Sequence, residues 1–238
     1  MRYAIVTGGT KGIGLSITKV LLREGYFVHL TYASDEISVQ HAQQKLTTIS
    51  ELFQTHKVNQ TSSEAIHTFT QTLSNVPIDC IVCNAGTTIR KETKDLTDED
   101  WNNVMQVNVN SHFFLIRNLW QQIQPNARII FIGSMMAVYP HATSLPYGVT
   151  KTAIHALARN LVKDFEGTGT TVNVIAPGFV DTEWQKNKPQ EIRRNICQKT
   201  AIHRFAAPEE IANAVSFILH NGFVNGTILE VSGGYNYQ

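Results

Sequence analysis

Charge of either sign is scarce in this chain. Only 16% of its 238 residues are charged, and 20 Lys and Arg against 19 Asp and Glu leave a formal net charge of +1. That balance offers no basic patch for nucleic acid and no acidic tail. Three cysteines, an odd number in a chain this long, make no disulfide framework. The nine histidines show no paired ligand spacing, so no metal site is expected. No apolar run approaches the roughly 18 residues that a membrane span needs. The chain enters strand-like Tyr3-Ala4-Ile5-Val6 at once, without a signal-peptide pattern. No Pro/Gly/Ser linker, repeat or low-complexity tract divides it. These absences lead to the expectation of a cytoplasmic, single-domain protein over residues 1–238, with neither nucleic acid nor membrane as partner.

What is present is a 42% hydrophobic composition, enough for one sizeable core. Arg2 to Thr7 reads as a buried strand leading into Gly8-Gly9-Thr10-Lys11-Gly12-Ile13-Gly14. Apolar Ile13, Ile17, Val20, Leu21 and Leu22 then recur at helical spacing until Gly25, and a second strand runs from Phe27 to Thr31. A strand, a glycine turn, a helix and a strand make the first half of a dinucleotide-binding fold, in which backbone N–H groups at the helix start meet a pyrophosphate. Further strands are expected near Leu52–Val58 and at Ile78–Val82, Arg128–Ile132, Thr171–Ile175 and Thr227–Val231. Helices are expected at 35–48 and 63–73, after Thr97-Asp98-Glu99-Asp100, from Tyr147 to Phe165 and from Pro208 to Leu219. Residues 181–207 read as irregular and polar, with one short helix. The alternation predicts an α/β fold: a Rossmann-type doubly wound domain with a mostly parallel, seven-stranded sheet covered by helices on both faces.

Tyr147 and Lys151, spaced Tyr-x-x-x-Lys, share one helix face. An ammonium beside a phenol is expected to lower the tyrosine pKa and make Tyr147 a usable proton donor. Ser134, just past the β-rich run Arg128–Ile132, would place its hydroxyl at a strand end. Cys80-x-x-Cys83 has redox spacing but lies within a buried strand, where packing explains it better.

The glycine turn, Asn84-Ala85-Gly86, Asn108, Ser134, Tyr147-x-x-x-Lys151 and Pro177-Gly178 occur in the order and at the spacings of short-chain dehydrogenases/reductases. The chain resembles that family over its whole length. Within it the chain is most similar to 3-oxoacyl-[acyl-carrier-protein] reductases of fatty acid biosynthesis, through Pro177 to Thr182, Pro208 to Val215 and the Val231-Ser232-Gly233-Gly234 close. The resemblance implies NADPH-dependent reduction of a carbonyl, with Tyr147 as proton donor and Ser134 bonded to the developing oxyanion. Lys151 would hold the nicotinamide ribose, and Asn108 would anchor a water that relays protons to it. It further implies cofactor contacts at Gly8, Thr10, Lys11, Gly12, Ile13, Gly14, Tyr32, Ala33, Ser34, Val58, Asn84, Ala85, Gly86, Tyr147, Lys151, Pro177, Gly178, Val180 and Thr182.

No carboxylate ends the second strand; Tyr32-Ala33-Ser34 stands there instead. With Lys11 in the glycine turn, this favours NADPH over NADH, because an acid at that place would repel a 2′-phosphate. Asp35 and Glu36 are better placed to open the next helix. Lys57-Val58 departs from the Asp-Val usual in relatives and removes a carboxylate contact to adenine. The 181–207 region is expected to form the substrate lid, with Ser134, Met136, His141, Tyr147, Phe179 and Trp184 lining the substrate site, and Ile202 and Met135 nearby. An acyl carrier protein is an expected partner through Arg128, although Thr168 replaces the second arginine of that surface and Arg159 or Lys163 would have to substitute. A small ketone, keto-sugar or acyl-CoA stays open as substrate. Apolar residues including Phe113, Phe114, Leu157 and Leu161, with the family resemblance, imply a homotetramer. A sensing scaffold would lack the tyrosine or lysine, and an epimerase would carry a larger C-terminal region.

Overall fold

The computed structural model describes residues 1–139, 144–235 and 237. In β1 (Arg2–Val6) the alternation of side chains explains an unbroken apolar run. Ala4 and Val6 enter the core on one face of the sheet, and Ile5 enters the core on the other. The same two-sided burial recurs in β4 (Ile78–Cys83), β5 (Ile123–Ile132) and β6 (Thr171–Pro177). With β2 (Tyr26–Tyr32), β3 (Phe53–Lys57) and β7 (Ile228–Val231), they form a seven-stranded sheet in the order β3-β2-β1-β4-β5-β6-β7. Every pairing is parallel. The winding direction reverses between β1 and β4, so a crevice opens there at the C-terminal strand ends.

One face of the sheet is covered by α1 (Gly12–Arg23) and α9 (Pro208–His220), through Ile17 and Leu21 of the first and Ile211 and Val215 of the second. Leu46 of α2 (Glu36–Thr47) joins that core. The other face takes Ile66 and Phe69 of α3 (Ser63–Thr72), Leu115 and Ile116 of α5 (Ser111–Asn118), and Ile154, Ala158 and Leu161 of α6 (Leu145–Asp164). Helix α4 (Asp98–Met105) opens with a capping box in which Thr97 and Asp100 bond each other's backbone N–H.

Three expectations change. The helix after Thr97 is not uniform: Gln106–Asn110 is π-helical, and the Ser111 N–H reaches Gln106 O across the wider turn. Strand β5 starts at Ile123 rather than Arg128, because a register shift between Ile78 and Cys80 absorbs Gln124-Pro125-Asn126-Ala127, with Asn126 at φ 64°. Residues 181–207 hold two helices, α7 (Glu183–Lys186) and α8 (Gln190–Gln198), with Pro189 as the cap of the second. Among the described residues no helix is long and apolar enough to cross a membrane.

Candidate active site

A cleft of about 480 Å³ lies at the switch point and receives residues from every C-terminal strand end between β3 and β6. Its first wall is the turn after β1. Gly8 and Gly12 adopt φ of 65° and 52°, where a side chain would be strained. Lys11 stands at the cap position of α1, and its side chain makes no capping bond to the first-turn amides. Thr10, Ile13 and Gly14 line the same wall. A Cβ on Gly14 would stand 2.1 Å from Gly8 O and 2.6 Å from Asn84 Nδ2. Gly14→Ala is therefore expected to cost about 1–3 kcal/mol and to abolish nucleotide retention, read by thermal melting and NADPH fluorescence titration.

Asn84 ties the turn to β4. Its amide donates to Thr7 O at 2.9 Å and Gly8 O at 3.1 Å, while Thr7 Oγ1 accepts from the backbone N–H of Asn84 and Ala85, both at 2.9 Å. Asn84, Ala85 and Gly86 face the cleft, as do Tyr32, Ala33, Ser34 and Val58 at the next two strand ends. On the opposite side stand Pro177, Gly178, Val180 and Thr182. Gly178 is forced close to the chain's last strand: its N–H bonds Val231 O at 2.9 Å, and a Cβ would meet Ser232 Cα at 2.8 Å.

Ser134, Tyr147 and Lys151 converge at the centre. Ser134 follows β5 in extended backbone, accepts from Met136 N–H at 3.1 Å and hydrogen-bonds the Tyr147 phenol. Helix α6 carries Pro146 in its first turn, where proline is well tolerated, and presents Tyr147 and Lys151 one turn apart. The Lys151 Nζ donates to Ile132 O at 2.7 Å and lies 5.5 Å from the Tyr147 ring centre. This alters the electrostatic expectation. Burial pushes the Tyr147 phenol up to about 12, against a smaller lowering by the Ser134 hydrogen bond. Burial also draws Lys151 down to about 8. Desolvation outweighs mutual attraction here because Lys151 spends its hydrogen bond on a carbonyl rather than on the phenol.

Asn108 does not line the cleft; it is fully buried behind it, on the π-helical segment. Its Oδ1 accepts from Thr87 N–H at 2.7 Å, and its Nδ2 donates to Thr87 O and Thr150 Oγ1, both at 2.9 Å. It thereby joins the loop after β4 to α6. A Cβ on Gly86 would sit 3.5 Å from Asn108 Oδ1 and 3.7 Å from Lys151 Nζ, so these two polar groups border one small space.

The substrate-side expectations divide. Trp184 of α7 lines the cleft, 6.3 Å from Tyr147 ring to ring in a T-shaped arrangement. Phe179 does not line it: Gly178, Val180 and Thr182 face the cleft, and the intervening Phe179 packs on Phe205 at 6.0 Å and Tyr235 at 5.5 Å. Met136 also stands outside the wall, since the tight turn Met135–Ala137 leads the chain past Ser134. Met135 is core, and Ile202 lies against Gly233. His141 lies outside the described residues.

At the adenosine end, Lys57 turns away from the cleft to pair with Glu36 Oε1 at 2.8 Å, and Tyr32 OH donates to Glu36 Oε2. Asp35 caps α2 and also reaches the cleft wall. Asn59, Gln60, Thr61, Thr87, Asn103, Glu183 and Gln185 line the cleft without having been singled out in the sequence. Asn59 to Thr61 directly follow β3, so their place at a C-terminal strand end was the available signal. Cys80 and Cys83 are free and buried, and burial pushes both thiols far above the usual range.

The profile of a family described as enoyl-(acyl carrier protein) reductase matches residues 8–236. The 3-oxoacyl-[acyl-carrier-protein] reductase FabG of Haemophilus influenzae is 30% identical over 98% of this chain and 97% of its own length. A putative oxidoreductase of Bacillus subtilis, YtkK, is 28% identical over 99% of this chain and 97% of its own. A short-chain dehydrogenase/reductase from Serratia marcescens shares the fold with a TM-score of 0.92 at 30% identity, covering 99% of this chain and 98% of that one. A short-chain dehydrogenase from Burkholderia cenocepacia, solved in complex with NADP, gives 0.90 at 25% identity, with 98% and 96% covered. With a seven-stranded parallel sheet and matches that run from end to end, the chain belongs to the short-chain dehydrogenase/reductase family of oxidoreductases.

Proposed function

We propose that this protein is an NADPH-dependent reductase of a 3-oxoacyl thioester, yielding the 3-hydroxyacyl thioester. The observation that carries the reading is the convergence of Ser134, Tyr147 and Lys151 on a cleft whose far end is a glycine turn with uncapped helix amides. The fit to a dinucleotide rests on those amides and on Gly8, Gly12 and Gly14, where side chains would block the approach. Bound there, NADPH supplies a hydride to the carbonyl carbon. Tyr147 donates its phenolic proton to the carbonyl oxygen, and Ser134 bonds the charge that develops on it. A phenol held near 12 by burial stays protonated at neutral pH, as a donor for reduction must. Lys151 holds the ribose, and Asn108 with Lys151 borders the route by which Tyr147 regains a proton. Residues 181–207 form the lid, with Trp184 over the tyrosine.

The FabG relative supports the thioester, and its name supports an acyl carrier as the handle. A second reading, a small ketone or keto-sugar, is favoured by the carrier surface. Arg128 bonds Asn126 O at 2.7 Å and Ala127 O at 3.2 Å, and Thr168 has no charge to add. A homotetramer is part of the proposal. Leu157 and Phe114 pack inward and Leu161 is core, so Phe113, Leu145 and Val149 supply the exposed apolar face instead. NADPH oxidation with acetoacetyl-CoA, compared with cyclic ketones and keto-sugars, tests the reading. Rapid NADPH-dependent turnover of the thioester is expected. Turnover of the other carbonyls alone would select the second reading.

A further inference from the structure

Lys11 and Asp35 form an ion pair on the cleft wall, with Nζ 3.2 Å from Oδ2. The two ends of this pair are held differently. Lys11 is a flexible side chain, 56% exposed. Asp35 is anchored: Oδ1 accepts from Ser38 N–H at 3.0 Å and Oδ2 from the Ser38 hydroxyl at 2.6 Å, as the cap of α2. Nearby Glu36 and Lys57 pair with each other and contribute no net charge.

We infer that Asp35 is a specificity-determining residue that restrains the preference for NADPH over NADH, by standing as a fixed counter-charge to Lys11, the lysine of the glycine turn that would meet a 2′-phosphate. The inference rests on the nucleotide reading proposed above. An exposed pair of this kind contributes little stability, so a phosphate can draw Lys11 off Asp35. The carboxylate cannot follow, because Ser38 holds it in place. The phosphate then stands beside Lys11 and also within the field of an anion a few ångströms beyond. The two Ser38 hydrogen bonds, ahead of Lys11, keep the Asp35 carboxyl near 2, so the anion persists at every working pH. A 5′-AMP moiety carries an uncharged hydroxyl at that place, so the Asp35 charge does not repel it.

The experiment titrates 2′,5′-ADP and 5′-AMP into the wild-type chain, Asp35→Asn and Lys11→Ala by calorimetry, at 50 mM and 500 mM salt. Asparagine caps a helix as well as aspartate, and Asp35→Ser is a second capped, uncharged variant should the first fold poorly. Asp35→Asn is expected to tighten 2′,5′-ADP by about 5- to 10-fold at low salt, with 5′-AMP unchanged, and the gain should shrink at high salt. Lys11→Ala should weaken 2′,5′-ADP alone. Equal tightening of both nucleotides, or no change in either, would overturn the inference while leaving the nucleotide site standing. Binding of neither nucleotide to the wild-type chain would overturn the nucleotide reading, and this inference with it.

Discussion

Tyr147→Phe is expected to lower kcat/KM for carbonyl reduction by about 10³-fold or more, with NADPH affinity held within threefold. Positioned general-acid catalysis contributes about 10²–10⁴-fold, and the remaining hydroxyl at the centre of the cleft, Ser134, is an alcohol and a far weaker acid than a phenol. Ser134 keeps its backbone contact with Met136 in the variant, so the strand end that carries it should not collapse. The ring stays in place against Trp184, which keeps the fold and the lid contact intact. Steady-state rates alongside NADPH fluorescence titration separate chemistry from binding. A variant that retained more than a tenth of the activity would show that another group protonates the oxygen. Lys151→Met should differ in kind, losing nucleotide affinity as well as rate. Its ammonium is the buried cation of the site, on a helix face turned to the cleft.

Stability should fall steeply between pH 7 and pH 5, and three buried histidines are the reason. His29 and His155 are drawn down to about 4 by burial, and His112 to about 3. Their exposures are 5%, 6% and 1%, so little water screens the effect. His29 shares one hydrogen bond with His56 at 3.0 Å, while Nε2 of His29 and of His155 has no hydrogen-bond partner among the described residues. In the unfolded chain each imidazole titrates near 6.5. Between about pH 4 and 6.5 the unfolded state therefore binds more protons, and folding stability falls as pH falls through that window. The contribution is roughly 1–2 kcal/mol per histidine at pH 5, and three together approach the lower end of the about 5–15 kcal/mol by which most domains are stable. The carboxylates do not offset this. Asp35 and Glu210, held near 2 by Ser38 and Arg204 respectively, lose their favourable contribution only below about pH 4, which adds to the loss. Urea melts at pH 7.5, 6.0 and 5.0 measure it. Replacing His155 by Asn should flatten the slope by about a third. A pH-independent midpoint from 7.5 to 5.0 would show that these rings are reached by water.

The parts of this protein legible in its sequence are those set by short-range spacing. Glycines between a strand and a helix, Asn84-Ala85-Gly86 at a strand end and Tyr147-x-x-x-Lys151 on one helix face each need only local geometry to be placed. Alternating apolar strands and helices likewise determined the parallel, two-sided sheet, because a strand buried on both faces leaves a continuous apolar run. Even the orientation of Phe179 was available in principle, since its neighbours Gly178 and Val180 must face the opposite way in extended chain.

Tertiary structure decided everything that depends on which strand ends meet. It buried Asn108 against Thr87 and Thr150, far from it in sequence, and it sent Lys57 to Glu36 and Lys11 to Asp35. It also reversed the expected effect on Tyr147. Spacing told that an ammonium stands near the phenol, but the balance between attraction and desolvation depends on how much protein surrounds both groups and on where the lysine donates its hydrogen bond. Residue order along the chain determines which groups are present on a helix face, whereas dielectric surroundings and cross-strand partners arise only when separate βα units pack around one crevice.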